Sequence, residues 1–184
     1  MENDNSINKI NNINHLEEKE AFELKRKAEA KLNPGCCLDT ICTSRKTILN
    51  QSFDLYQKSA EKYKSCIQWR KAAECYEKCA EIKLALNESP VQFYNEAIIC
   101  YQNINSDVNV KKIFFRMNDY LDKKGEFYEE GKNLENMGIK LENEGKKEEA
   151  IHFYEEAIKC FGKDSKYETL KTNLENKLSK LKMI

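Results

Sequence analysis

The sequence is poor in residues that break helices and in features that direct a protein to a membrane. It has 6 glycines and 2 prolines in 184 residues, and Leu, Ile, Lys, Glu and Ala recur at helical spacing. No segment shows the alternation typical of strands. There is no apolar run long enough to span a bilayer, and the first residues lack the charged-then-apolar pattern of a signal peptide, which predicts an intracellular, cytoplasmic protein. The composition favours the all-α class.

The sequence also lacks an excess of charge of either sign and the groups that catalysis needs. Lys+Arg and Asp+Glu are both 31, so the formal net charge is zero and we predict no nucleic-acid partner. Neither His15 nor His152 has a nucleophile or a matching partner at a recognisable spacing. Glycine-rich phosphate loops are absent from the sequence as well. We therefore predict no enzymatic activity and no cofactor.

Cysteine, by contrast, is plentiful, with 8 residues. Because no secretory signal accompanies them, we expect reduced thiols rather than a disulfide framework. Most lie in helical patterns, where they are predicted to act as small apolar residues at packing faces. These are Cys66, Cys75, Cys79, Cys100 and Cys160. The remaining three form a Cys-Cys-x4-Cys run without a CxxC pair or a nearby histidine, so we predict no metal site.

The segment 136–158 carries the pattern of a tetratricopeptide helix pair. Its small and aromatic residues fall where two antiparallel helices approach closely, turn and cross. The five positions are Gly138, Gly145, Ala150, Tyr154 and Ala157. Related Ala and aromatic spacings recur at Trp69–Ala80 and Glu96–Tyr101, without a strict period. They predict a core built around Trp69, Tyr76, Tyr101 and Tyr154.

Helical patterns divide the chain into a short tail and one helical domain. Residues 1–14 are Asn-rich and weakly patterned, which predicts a mobile tail. Residues 15–184 predict about eight antiparallel helices joined by short turns, in a TPR-like right-handed helical solenoid. The predicted helices are 15–32, about 46–64, 69–86, 90–101, a fifth around 113–121, 127–141, 147–161 and 167–181. Such solenoids present an extended surface suited to holding another protein.

Three motifs in a shared order carry a family resemblance. They are the Trp69-x-x-Ala72-Ala73-x-x-Tyr76 motif, the Gly125-Glu126-Phe127 turn and the segment Glu148–Glu155. Over roughly Leu24 to Phe161 the chain resembles the amino-terminal half of the soluble NSF attachment proteins, nearest the alpha type. The resemblance implies an adaptor of vesicle trafficking that performs no covalent chemistry. Such an adaptor binds an assembled SNARE four-helix bundle (syntaxin-type proteins) and recruits the NSF-type ATPase, which takes the bundle apart after membrane fusion.

The resemblance also implies two lysines of a SNARE-binding groove. In the family a lysine follows the Gly-x-Phe turn on the concave side, and Lys132 keeps that spacing here. Lys171 falls near the place of another groove lysine. The alternative for both is an ordinary solvated helix lysine, since lysines are mostly exposed. Glu126 occupies a position that is often basic in the family, which weakens the local positive field.

The loop after the first predicted helix occupies the place where the family carries apolar residues that contact the bilayer. The residues concerned are Cys36, Cys37, Leu38, Ile41 and Cys42. The resemblance implies a peripheral membrane contact here, to which thioacylation of adjacent cysteines would add an anchor. The alternative is that these residues cap the end of the first helix pair.

Family members carry further helix pairs beyond the equivalent of Phe161, and their carboxy-terminal end contacts the ATPase. The resemblance therefore leaves ATPase recruitment by this chain doubtful. The last predicted helix has a leucine stripe that would either cap the solenoid or pair with a second chain. A different function class also stays open: a generic TPR scaffold or co-chaperone that clamps an acidic peptide tail. That function needs convergent Lys, Asn and Arg residues in one three-repeat groove.

Overall fold

A computed structural model describes residues 2–33 and 44–183, with side chains from residue 14 onward. Within these ranges the chain forms eight α-helices and no strand. The helices are α1 (Glu2–Leu32), α2 (Arg45–Ser65), α3 (Trp69–Ala85), α4 (Val91–Gln102), α5 (Asp107–Lys124), α6 (Phe127–Asn143), α7 (Lys147–Phe161) and α8 (Glu168–Met183). A short 3₁₀ turn, Ser165–Tyr167, precedes α8. The predicted all-α class is confirmed.

The chain divides into two compact units, Met1–Phe114 and Phe115–Ile184. In the first unit α1 packs on α2, α2 on α3 and α3 on α4, and in the second α6 packs on α7 and α7 on α8. Each of these helices thus contacts a neighbour in the chain, as a TPR-like helical fold requires. Helix α1 begins at Glu2 rather than at the predicted His15. The mobility expected for residues 1–14 stays a prediction.

In the first unit, small residues let α1 and α2 approach closely. Ala21 and Ala28 on α1, and Ser52 and Ser59 on α2, are fully buried. The members of each pair are seven residues apart, so each pair lies on one helix face. The Ser59 hydroxyl donates a hydrogen bond of 2.7 Å to the backbone carbonyl of Ala21. This bond joins the two helices across their contact.

Tyrosines fill much of the core of the first unit. Tyr56, Tyr63 and Tyr94 are each 2% exposed, and Tyr76 and Tyr101 are nearly as buried. The expectation for Trp69 is wrong, because its side chain is only partly buried. Trp69 is the first residue of α3 and so lies at the helix end, where the core is shallow.

The second unit is organised by two glycines that face two aromatic rings. A Cβ atom on Gly138 would stand 2.6 Å from Cε1 of Tyr154, and one on Gly131 would stand 2.6 Å from Cε1 of Phe161. The two glycines are seven residues apart on α6, and the two aromatic residues are seven residues apart on α7. The first glycine faces the second ring and the second glycine faces the first ring, because the two helices are antiparallel. The close approach predicted at Gly138 is confirmed, and Gly131 extends it by two turns.

Helix α8 lies on α7 with its leucine stripe inward. Leu174 and Leu178 are buried, and Lys182 at the end of α8 pairs with Glu155 of α7 at 2.8 Å. Of the two alternatives for this stripe, packing within the unit is the one observed.

The five cysteines predicted to act as small apolar residues are buried free thiols. Burial raises the pKa of Cys100 to about 11 and that of Cys160 to about 12. Thiols that are buried and protonated pack like small apolar groups and react slowly. Their predicted role in packing is confirmed.

Candidate partner-binding strip on helix α6

One face of α6 carries an exposed strip formed by Tyr128, Lys132, Glu135 and Ile139. The spacing of four, three and four residues places all of them on one side of the helix. Tyr128 is 39% exposed and Ile139 38%. The strip is outward because other faces of α6 are occupied: Leu134, Met137 and Leu141 are buried, and the glycines face α7. Two large apolar side chains therefore stand on either side of a lysine at the surface.

Lys132 forms an ion pair within the strip. Its Nζ lies 2.8 Å from Oε2 of Glu135, one turn further along α6. The lysine side chain is 35% exposed and the glutamate side chain 24%. The charge predicted to meet a partner is therefore balanced by a carboxylate of the same helix.

Lys171 occupies a different place from the strip. Its Nζ lies 3.1 Å from Glu168 on the same helix, α8, and this hydrogen bond raises the pKa of Lys171. Its Cδ is 3.8 Å from the point where a Cβ on Gly162 would stand. Lys171 thus lies beside the carboxy-terminal end of α7.

The lysine of α8 that reaches α6 is Lys177. Its Nζ donates a hydrogen bond of 2.6 Å to the hydroxyl of Tyr154 on α7 and lies 2.9 Å from Glu142 of α6. The Tyr154 hydroxyl in turn donates to Glu142 over 2.6 Å. Hydrogen bonds from Tyr154 and Lys177 lower the pKa of Glu142. These three side chains join α6, α7 and α8.

Sequence reasoning missed Lys177. The sequence feature that could have indicated it is its position between Leu174 and Leu178, the two buried leucines of α8. A lysine beside such a stripe lies at the edge of the packed face and can extend along it to a neighbouring helix.

Aromatic and charged contacts position the start of α6. The rings of Tyr128 and Tyr167 are 5.5 Å apart, which joins the strip to the 3₁₀ turn before α8. Glu130 is only 8% exposed and pairs with Lys163 at 3.3 Å. Lys163 also stands over the ring of Phe127, 4.8 Å from its centre. A buried carboxylate needs such a partner, so this contact holds the first turn of α6 in place.

The predicted membrane-contact residues Cys36, Cys37, Leu38, Ile41 and Cys42 lie outside the described residues. Among the helices that the structure describes, none is long and apolar enough to cross a membrane. The described residues also contain no group of His, Cys, Asp and Glu side chains that could hold a metal ion.

Comparison with known families gives a match over most of the chain. A family model described as "Soluble NSF attachment protein, SNAP" matches residues 19–183. No curated protein matches the chain significantly. The family match includes α2 to α8 and extends past Phe161, where the resemblance seen in the motifs ended, to the end of α8. The chain belongs to the soluble NSF attachment protein family.

Proposed function

We propose that this protein is an adaptor that binds assembled SNARE four-helix bundles in intracellular vesicle trafficking and brings an NSF-type ATPase to them. The observation that carries the proposal is membership of the soluble NSF attachment protein family over residues 19–183. The family consists of adaptors without catalytic chemistry of their own. On this proposal the chain acts in the cytoplasm, with peripheral membrane contact through the loop containing Cys36, Cys37, Leu38, Ile41 and Cys42.

The α6 strip supports a contact with a rod-shaped acidic partner. Tyr128 and Ile139 offer apolar area, and Lys132 between them offers a positive charge. Partners of this kind associate by electrostatic steering and are held by apolar contacts at the centre of the interface. We therefore assign Lys132 to the partner-binding surface. Lys171, beside the end of α7, is a second candidate.

The test is a pull-down with assembled SNARE bundle, compared with an acidic chaperone tail peptide. The bundle should bind more tightly than the peptide. Preference for the peptide would favour the scaffold or co-chaperone function instead.

The variant Lys132→Glu should bind the SNARE bundle several-fold more weakly at about 50 mM salt. An exposed ion pair contributes only about 0.2 to 1 kcal/mol, but charge reversal adds repulsion of similar size. Lys159→Glu is the matched control, since Lys159 on α7 also pairs with a glutamate three residues away. Equal binding by wild type and Lys132→Glu would remove Lys132 from the interface. Lys171→Glu, measured in parallel, decides whether Lys171 belongs to it.

A further inference from the structure

Lys132, the lysine of the α6 strip that a partner is proposed to contact, already has a negatively charged neighbour in the strip, Glu135. The Nζ of Lys132 and Oε2 of Glu135 are 2.8 Å apart, and both side chains remain partly exposed. A carboxylate of an arriving partner therefore meets a lysine that is already paired. It also meets the exposed part of the Glu135 carboxylate, which repels it.

A second pair continues the same arrangement along α6. Glu142 follows Glu135 by seven residues and so lies on the same face of the helix. It pairs with Lys177 at 2.9 Å. Two carboxylates of α6 thus balance two lysines, and these four groups together carry no net charge. Glu142 also accepts a hydrogen bond from Tyr154, so Glu142 helps hold the helices together. Glu135 has its ion pair with Lys132 alone among its described contacts, and can exchange partners without loosening the unit.

We propose that Glu135 limits the affinity of the strip for acidic partners by competing with their carboxylates for Lys132. The proposal rests on the proposed function, because it concerns the same surface. In the resting chain Lys132 pairs with Glu135. On binding, Lys132 turns to the carboxylate of the partner and the side chain of Glu135 returns to water. One surface ion pair replaces another, so the net gain is small. Most of the binding energy at the strip then comes from partner side chains that cover Tyr128 and Ile139.

The test is Glu135→Gln, which removes the competing charge and keeps the size of the side chain. Binding to assembled SNARE bundle at about 50 mM salt should become roughly two- to fivefold tighter. Affinity should also fall more steeply with added salt than in the wild type, because the freed lysine contributes a larger screened attraction.

The matched control is Glu156→Gln on α7. Glu156 pairs with Lys159 at 2.6 Å, three residues away, as Glu135 does with Lys132. Both variants change the net charge by the same amount, so a difference between them reports the position of the charge. Glu156→Gln should leave the affinity unchanged. Equal tightening by both variants would mean that the change in net charge alone causes the effect, and this would overturn the proposal.

A second comparison isolates the competition for Lys132. In a Lys132→Ala background there is no lysine to release, so Glu135→Gln relieves only the repulsion between Glu135 and the partner and should give a clearly smaller gain than in the wild type. A gain of the same size in both backgrounds overturns the proposal.

The failure of this proposal and that of the proposed function are distinguishable. If Lys132→Glu weakens binding while Glu135→Gln changes nothing, Lys132 belongs to the partner-binding surface and the proposed competition by Glu135 is wrong. If the wild type does not bind the bundle at all, the proposed function fails, and this inference fails with it.

Discussion

At the residue scale, the packing of the second unit depends on two positions where no side chain beyond hydrogen fits. Gly131 and Gly138 each face an aromatic ring at a distance that a Cβ atom cannot share. Tyr154 cannot move away easily, because it is fully buried and its hydroxyl is bonded to Glu142 and Lys177. The glycines therefore determine how closely α6 and α7 approach.

Gly138→Ala should lower the free energy of unfolding of the protein by up to about 2 kcal/mol. Overpacking costs about 1 to 3 kcal/mol, and the better helix propensity of alanine offsets up to about 1 kcal/mol of it. Chemical denaturation followed by circular dichroism measures the change. Asn136→Ala, at an exposed position of the same helix, is the control and should be neutral or stabilising. A Gly138→Ala protein as stable as Asn136→Ala would contradict the close approach.

At the element scale, α8 is attached to the second unit by buried leucines and by charged contacts at its edges. Leu174 and Leu178 supply the apolar contact. Lys177 adds contacts to α6 and α7 together, and Lys182 adds one to α7. Lys177 is thus a side chain of α8 whose charged contacts to two helices can be removed without changing the buried leucines.

Lys177→Met should loosen α8 without unfolding it. Methionine keeps the apolar stem, and the lost contacts are partly exposed, so the expected loss is about 1 kcal/mol or less. Amide hydrogen exchange should become faster in α8 than in α7. Lys180→Met, on the same helix at an exposed position, is the control and should leave the exchange unchanged. Identical exchange in the two variants would show that the contacts of Lys177 do not help to hold α8.

The contribution of the contacts among Lys177, Glu142 and Tyr154 to the stability of the protein should also depend on pH. The pKa of Glu142 is lowered in the folded state from an ordinary value of 4.5. Its stabilising effect is therefore present above that value and lost as the pH falls through the lowered pKa. The stability difference between wild type and Lys177→Met should be largest near neutral pH and shrink under acidic conditions. A difference that grows on acidification would contradict this assignment.

Local spacing in the sequence predicted some of the contacts described above, and packing between distant helices determines the others. The spacing of Gly138, Ala150 and Tyr154 is local and indicated the contact of α6 with α7 directly. The family resemblance implies Lys132 through its distance from the Gly125 turn, and its role in binding a partner stays a prediction. Which lysine of α8 contacts another helix depends on how α8 is rotated against its neighbours, and this follows from packing between helices distant in sequence. The leucine stripe limits that rotation, but it does not show whether Lys171 or Lys177 contacts another helix.

At the scale of the whole molecule, the buried cysteines report on each unit separately. Cys75, Cys79 and Cys100 are fully buried in the first unit, and Cys160 is buried in the second. Burial raises the pKa of all four thiols. Because the thiolate is the reactive form, both access and ionisation limit their reaction in the folded protein.

These four cysteines should react with iodoacetamide at pH 8 far more slowly in the folded protein than in denaturant. Labelling measured peptide by peptide by mass spectrometry separates them from the other cysteines. Protection of Cys75, Cys79 and Cys100 should be lost together as denaturant is added, because helices that pack on one another open as a cooperative unit. Cys160 reports the opening of the second unit in the same experiment. Cys66, at 8% exposure, serves as the internal comparison and should be the least protected of the buried cysteines. Rapid labelling of Cys75 or Cys79 in the folded protein, at the rate of a free thiol, would contradict the packing of α3 against its neighbours.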